Sequence, residues 1–383
     1  MYKALRILLT AAILNSLSLM SFLAMGQTGD TKSTAKKIVI AHRGASGYLP
    51  EHSLQSKSLA FAMGADFIEQ DLHMSRDDQL IVIHDRYLDR VSDVAEKYPN
   101  RARSDGRFYV IDFTLAEIKT LQLTERFKIS NNKKVAVFKN RTPLWDKAYS
   151  FHTLAQEIEL IQKLNREQHK NVGIYPEIKD PSFYRHEGKD ISRVVLQVLK
   201  QYGYSRPTDN IYLQSFDPLE LRRIHQQLFT QYQMKIPLVQ LIAKTNWQLT
   251  SHYEDGRAVN YQYDWMLQAG GMQKIAQYAQ GIGPWKNMLI AGNSRADNLN
   301  ITPLLKRAHA VGLQVHPYTF RMDEGRVAKY ASSFTDMLHI FYFKLGVDGV
   351  FTDFPDKAVE LLNLDSAVES RKKAQVLDAL RKL

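Results

Sequence analysis

From Lys37 onward the chain repeats one pattern: a short apolar run rich in β-branched residues, a stretch with helical spacing, then another apolar run. This βα repetition constrains the fold more than any other feature, because it commits the chain to a mainly parallel sheet whose crossovers are helices. The runs predict strands at 38–42, 65–72, 80–84, 172–178, 210–216, 238–243, 281–284, 313–318 and 347–352. Between them, Asp190 caps a helix with an apolar face at Ile191, Val194, Val195, Val198, Leu199 and Tyr202, ended by Gly203. Thr153 with Gln156 forms a capping box, and Asp217-Pro218 with Glu220 and Thr302-Pro303 mark two further starts. No helix is expected to be long enough for a coiled coil. No glycine-rich phosphate loop follows the first strand, which favours a closed barrel over a doubly wound sheet. The expected class is α/β, a (β/α)8 TIM barrel, although nine candidate strands are one more than such a barrel needs.

Residues 37–364 form the expected barrel domain. A polar stretch at about 86–152, with Arg101, Arg103, Arg107, Lys133 and Lys134 and little periodicity beyond 115–121, reads as an insertion after the second barrel strand, on the loop face. Residues 365–383 read as a basic helical tail. At the other end, Lys3 and Arg6 precede an apolar run from Leu8 to Leu23 and the small residues around Ala24-Met25-Gly26. This pattern predicts a cleaved signal peptide over 1–26, a linker over 27–36, and no stable membrane anchor after cleavage. Removing residues 1–26, which contain Lys3, Arg6 and no acid, lowers the net charge from +11 to +9. The absence of cysteine excludes disulfides, thiolate nucleophiles, Fe–S clusters and cysteine-borne lipid. It also suits an exported protein of the periplasm that does not depend on oxidation.

The chemistry-bearing residues stand at predicted strand ends, where barrel enzymes place their sites. His42-Arg43-Gly44 follows the first strand, and Gly44 and Gly47 allow a close-turning loop. Glu69 and Asp71 are two apart on the next strand, so both carboxylates share one face and repel each other. A third acid, Glu177, lies on another strand with Lys179 on the same face. A hard divalent cation would relieve such repulsion, while pairing with Arg43 or Lys179 in a structural ion network is the plainer alternative. His84-Asp85 places a second imidazole at a strand end. Two histidines, three acids and two cations suit phosphoryl chemistry, one imidazole taking a proton and the other giving one.

These residues carry a resemblance. His42-Arg43-Gly44 with Pro50-Glu51, Glu69-Gln70-Asp71, His84-Asp85 and Pro176-Glu177-Ile178-Lys179 resemble the signature of the glycerophosphodiester phosphodiesterase family. The likeness extends through Tyr212-Leu213-Gln214-Ser215-Phe216, Tyr263-Asp264-Trp265, His316-Pro317-Tyr318-Thr319 and Phe351-Thr352-Asp353-Phe354-Pro355-Asp356, and is strongest to the family's periplasmic members. It implies a (β/α)8 barrel that hydrolyses small-molecule glycerophosphodiesters to sn-glycerol 3-phosphate and an alcohol. It also implies His42 and His84 as the acid–base pair, Glu69, Asp71 and Glu177 as ligands of Ca²⁺ (Mg²⁺ being the alternative), and Arg43 and Lys179 as phosphate contacts. Glu51 is expected to support His42. Ser53 stands where the family usually has threonine, and Ser215 is a second departure. Phe216, Trp285 and Phe354 are candidates to wall the glycerol pocket, with Gln214 as its polar contact, whereas His316 is expected to be structural, or to support the site from behind, rather than catalytic. Competing readings are a lipid phosphodiesterase acting on intact phospholipid and a surface binding or adhesion protein that uses the barrel as scaffold. Nucleic acid is not an expected partner, because the basic residues are dispersed.

Overall fold

The computed structural model describes residues 36–147 and 149–381. The expected signal peptide and most of the linker lie outside the described residues. Eight parallel strands form the barrel: β1 (Ile38–Ala41), β2 (Phe67–Met74), β3 (Gly173–Ile178), β4 (Leu213–Ser215), β5 (Leu238–Ile242), β6 (Gly281–Pro284), β7 (Gln314–Val315) and β8 (Gly349–Thr352). They are hydrogen-bonded in the order β7-β6-β5-β4-β3-β2-β1-β8. The ring closes between β8 and β7 through backbone bonds from Asp348 N to Val315 O and from Phe351 N to Pro317 O, both 3.1 Å.

The ninth predicted strand is real but is not a stave. Leu80–Val82 folds back antiparallel on the end of β2, pairing Leu72 with Val82 and Met74 with Leu80. An apolar run of this length looks the same in a stave and in such a return strand, and only the short Ser75–Gln79 turn separates them.

Alternation along the staves sorts their side chains. Phe67 of β2 and Tyr175 of β3 join Ile40, Val239 and Phe351 inside the barrel. Ile68, Leu72, Ile174 and Ile178 point outward into the large core shared with the surrounding helices. Glu69 and Asp71 therefore face inward with Phe67, and Glu177 inward with Tyr175. His316 bonds the Tyr175 hydroxyl through Nδ1 at 2.9 Å in the same interior and is fully buried, in keeping with a structural role.

The helix signals hold where a side chain can cap. Asp190 accepts from Arg193 N, Asp217 accepts from Leu219 N and Glu220 N, and Thr153 with Gln156 makes both halves of its capping box. Ser53 caps Leu54–Ala62 by accepting from Ser56 N, as the usual threonine could. The insertion is more structured than its sequence suggests. It has its own apolar cluster, including Leu88, Val94, Phe108, Phe113, Ile118 and Phe151, and a hairpin of Phe127–Ser130 with Lys133–Ala136. A second hairpin, Ser251–Glu254 with Arg257–Asn260, lies between β5 and β6 and had no sequence signal. The last helix runs unbroken over Pro355–Arg381, so the boundary expected at 364 falls inside one helix, longer than any anticipated. Among the described residues no helix is long and apolar enough to cross a membrane.

Candidate active site

Strand register brings the acids together. Asp71 pairs with Glu177 across β2 and β3, and Glu177 with Gln214 across β3 and β4. One carboxylate oxygen from each of Glu69, Asp71 and Glu177 lies within 4.8 Å of the others, and all three residues are buried. Burial, and next the charge of Asp71, pushes the Glu69 carboxyl up to about 8. Burial also pushes Glu177 well above the carboxylate range, opposed by Lys179 and aided by Asp71 and Glu69. Burial acts in the same sense on Asp71, but Lys179 and the hydrogen bond from His52 outweigh it and hold Asp71 well below its ordinary value. The cluster is thus short of positive charge. Asp71 Oδ1 and Gln214 Oε1 are buried acceptors without a hydrogen bond. Lys179 Nζ is 3.5 Å from Asp71 Oδ1 and 2.9 Å from Glu177 Oε1. Three converging carboxylates and an orphaned amide oxygen are the oxygen-only donor set that a hard divalent cation requires.

The loop after β1 is shaped to this cluster. Arg43 adopts a left-handed φ of 59°, and its backbone N–H donates to Glu69 Oε2 at 2.8 Å. Gly44 (φ 85°) has no room for a Cβ, which would lie 2.5 Å from Ser56 Oγ. The Arg43 guanidinium bonds Glu51 through Nη1 at 2.9 Å, and its Nε is 3.4 Å from Asp71 Oδ2. His52 Nε2 donates to Asp71 Oδ2 at 2.8 Å from inside the fold.

Each proposed catalytic histidine is backed by an aspartate. His42 Nδ1 donates to Asp353 Oδ1 at 2.6 Å, and its Nε2 is 3.8 Å from Glu69 Oε2. Asp353, immediately after β8, also accepts from Arg321 Nε at 2.8 Å and from Arg141. His84 Nδ1 donates to Asp85 Oδ1 at 2.5 Å. Asp85 is held by Arg126 of the insertion at 2.6 Å, and Arg126 bonds Glu51 as well. Burial and the Arg43 charge lower His42 to about 4; burial, Arg43 and Lys179 lower His84 to about 3. Both rings are neutral at neutral pH. Glu51 is a correction to the sequence reading. It braces Arg43 and Arg126, and the carboxylate on His42 is that of Asp353.

The site opens into a cavity of about 650 Å³. His42, Arg43, Glu69, Asp71, His84, Glu177, Lys179, Gln214, Phe216 and Trp285 all line it. The Gln214 amide donates to Glu69 Oε1 at 3.2 Å, so it is tied to the cluster. Phe216 stands edge-on to Tyr318 and Trp285 edge-on to Trp247, and Tyr318 and Trp247 are lining aromatics that the sequence did not single out. Phe354 does not join them. It packs behind the His42 loop against Tyr48 and Phe334, over the space left by Gly47, because its strand-end position turns it into the outer core. A second cavity of about 560 Å³, which shares His84, Lys179 and Phe216 with the first, is lined in part by the insertion and in part by the ends of β3 and β4 and the segment after β5. Of the residues missed, Asp353 had a signal, an acid directly after a stave, whereas Arg126 and Arg141 lie in an aperiodic insertion that offered none.

A barrel whose mouth gathers acids, imidazoles and cations around one cavity belongs to the class of hydrolases built for an anionic substrate. Comparison with known proteins narrows this. The model of the "Glycerophosphoryl diester phosphodiesterase family" matches residues 42–357. A glycerophosphodiester phosphodiesterase of Haemophilus influenzae is 49% identical over 335 residues, covering 87% of this chain and 92% of that protein. One from Treponema pallidum is 41% identical over 330 residues, covering 86% and 92%. Among solved structures, an Oleispira antarctica phosphodiesterase in complex with the product sn-glycerol-3-phosphate shares the fold, with a TM-score of 0.55, 19% identity, and coverage of 86% of this chain and 98% of that one. The chain belongs to the glycerophosphoryl diester phosphodiesterase family, and it is a glycerophosphodiester phosphodiesterase.

Proposed function

We propose that the protein splits glycerophosphodiesters into sn-glycerol 3-phosphate and an alcohol, using His42 and His84 as the acid–base pair beside a divalent cation held by Glu69, Asp71 and Glu177. The observation that carries this reading is the convergence of three buried acids between two neutral, aspartate-backed imidazoles. Ca²⁺ suits the all-oxygen donor set, and a cation bound there supplies positive charge to the phosphate oxygens. Arg43 and Lys179 hold the diester's negative charge. With Nδ1–H committed to Asp353, His42 takes the proton of the attacking hydroxyl at Nε2, and Asp353 stabilises the imidazolium that forms. Arg43 and Lys179 depress His84. Phosphate placed on those two cations offsets that repulsion and lets His84 carry the proton it gives to the leaving oxygen. On sequence grounds we infer that this happens in the periplasm, after removal of residues 1–26.

Glycerophosphocholine tests the reaction. The expected products are equal amounts of sn-glycerol 3-phosphate and choline. Formation of phosphocholine and glycerol would mean the other ester bond is cut and would overturn the reading.

A further inference from the structure

The cavity that holds the acid cluster continues to a wall of Lys286, Arg321, Arg326, Lys329 and Tyr330, of which the reaction uses only Arg321, through its bond to Asp353. Among the described residues, Arg321 is the one cation of this wall that meets a carboxylate, and that carboxylate, Asp353, is already shared with Arg141 and His42. The half-buried Lys286 ammonium donates to a neutral acceptor, the backbone oxygen of Thr319, at 2.9 Å. Arg326 and Lys329 are exposed. Tyr330 is 5% exposed, and its hydroxyl is buried without a hydrogen-bond partner. Burial, followed by the charges of Arg321 and Arg326, brings Lys286 down to about 8, as expected of a cation held among cations. A protein does not ordinarily gather cations and an idle hydroxyl on one concave wall without an anion to satisfy them.

We propose that this wall binds a second anionic group of the substrate, so that preferred glycerophosphodiesters carry a phosphate or carboxylate on their alcohol in addition to the diester phosphate. The proposal rests on the glycerophosphodiester reading above. A volume of about 650 Å³ holds a diester and a further charged group together. The second group gains charge-assisted bonds from Lys286, Arg326 and Lys329 and a neutral one from Tyr330, whereas a cationic alcohol such as choline gains none.

The test compares three diesters of glycerol phosphate with the metal-loaded full chain: with choline, with ethylene glycol, and with ethylene glycol carrying a terminal phosphate. Steady-state release of sn-glycerol 3-phosphate gives KM and kcat for each. The phosphorylated diester is expected to show a KM about tenfold below that of its neutral counterpart, the effect of one or two bonds to charged groups. In the Arg326→Ala/Lys329→Ala variant, whose sites are exposed, that advantage disappears while turnover of glycerophosphocholine stays the same; Lys286→Met removes it too. Equal KM values in the wild type, or an advantage that survives both variants, would overturn the proposal. Inhibition of the wild type by inorganic phosphate that is relieved in the double variant, without any preference among diesters, would assign the wall to free phosphate and also overturn it. Failure to cleave glycerophosphocholine at all would instead refute the underlying reaction.

Discussion

Asp353→Asn isolates the carboxylate behind His42 with almost no change in volume. In the wild type Oδ1 takes the Nδ1–H of His42 at 2.6 Å, and Oδ2 takes bonds from Arg321 and Arg141. An asparagine has one acceptor for these donors. The two guanidinium groups claim its oxygen, so its NH₂ turns toward His42 Nδ1 and drives the ring proton to Nε2. The ring is then blocked at the nitrogen that must take a proton, and the charge that stabilises the imidazolium is gone. A positioned base contributes about 10²–10⁴-fold, so kcat should fall by that factor, about 3–5 kcal/mol of barrier. KM should hold, because Asp353 does not line the cavity. The fold should hold as well, since Arg141 keeps its two bonds to Asp323 at 2.9 and 2.7 Å. The assay is glycerophosphocholine turnover, with thermal melting and metal content measured on the same preparation. A kcat within about threefold of wild type, at unchanged metal content, would refute the assignment of His42 as base.

Other perturbations probe the scaffold and the pocket. Lys57, fully buried, pairs with Glu157 at 2.9 Å and donates to the backbone oxygen of Glu69; Lys57→Met should cost about 3–5 kcal/mol in urea unfolding because the buried Glu157 charge loses its ammonium partner and keeps only its bonds to His152 and Gln70. Although burial opposes it, Lys57 and His152 hold Glu157 down to about 2, against 4.5 ordinarily. A depressed acid stabilises above its unfolded pKa, so this contribution, about 3 kcal/mol, should be complete above pH 4.5 and vanish as pH falls through 2. Glu157→Gln should flatten that acid limb, which equilibrium unfolding at stepped pH would reveal. Gly47→Ala would set a Cβ 2.4 Å from the Phe354 ring and should destabilise by about 1–3 kcal/mol in melting experiments. If the cavity grips glycerol through Gln214, a diester lacking the glycerol hydroxyl next to the phosphate ester should be cleaved far more slowly than its parent, and equal rates would dismiss that contact.

What could be read from the sequence was whatever depends on spacing. The two-residue step from Glu69 to Asp71, and the matching face of Glu177, follow from strand geometry alone, and the staves place them as alternation requires. Helices with side-chain caps were legible for the same local reason. Contacts between distant segments were not. Arg126 and Arg141 reach His84 and His42 only through Asp85 and Asp353, and their insertion packs around an apolar cluster with no helical or strand period. Glu51 and Phe354 were misread because position beside a motif does not tell which way a side chain turns. The ninth strand failed as a stave because antiparallel return strands and buried staves share one pattern.

The central claim is that Glu69, Asp71 and Glu177 hold one divalent cation on which turnover depends. The direct measurement strips the full-length protein with chelator and returns Ca²⁺ while following heat of binding and glycerophosphocholine turnover in one titration. The account predicts that stripped protein is inactive, that both signals saturate together at one ion per chain, and that Glu69→Gln/Glu177→Gln abolishes both. Full turnover after stripping, or undiminished binding of one ion in that double variant, would contradict it.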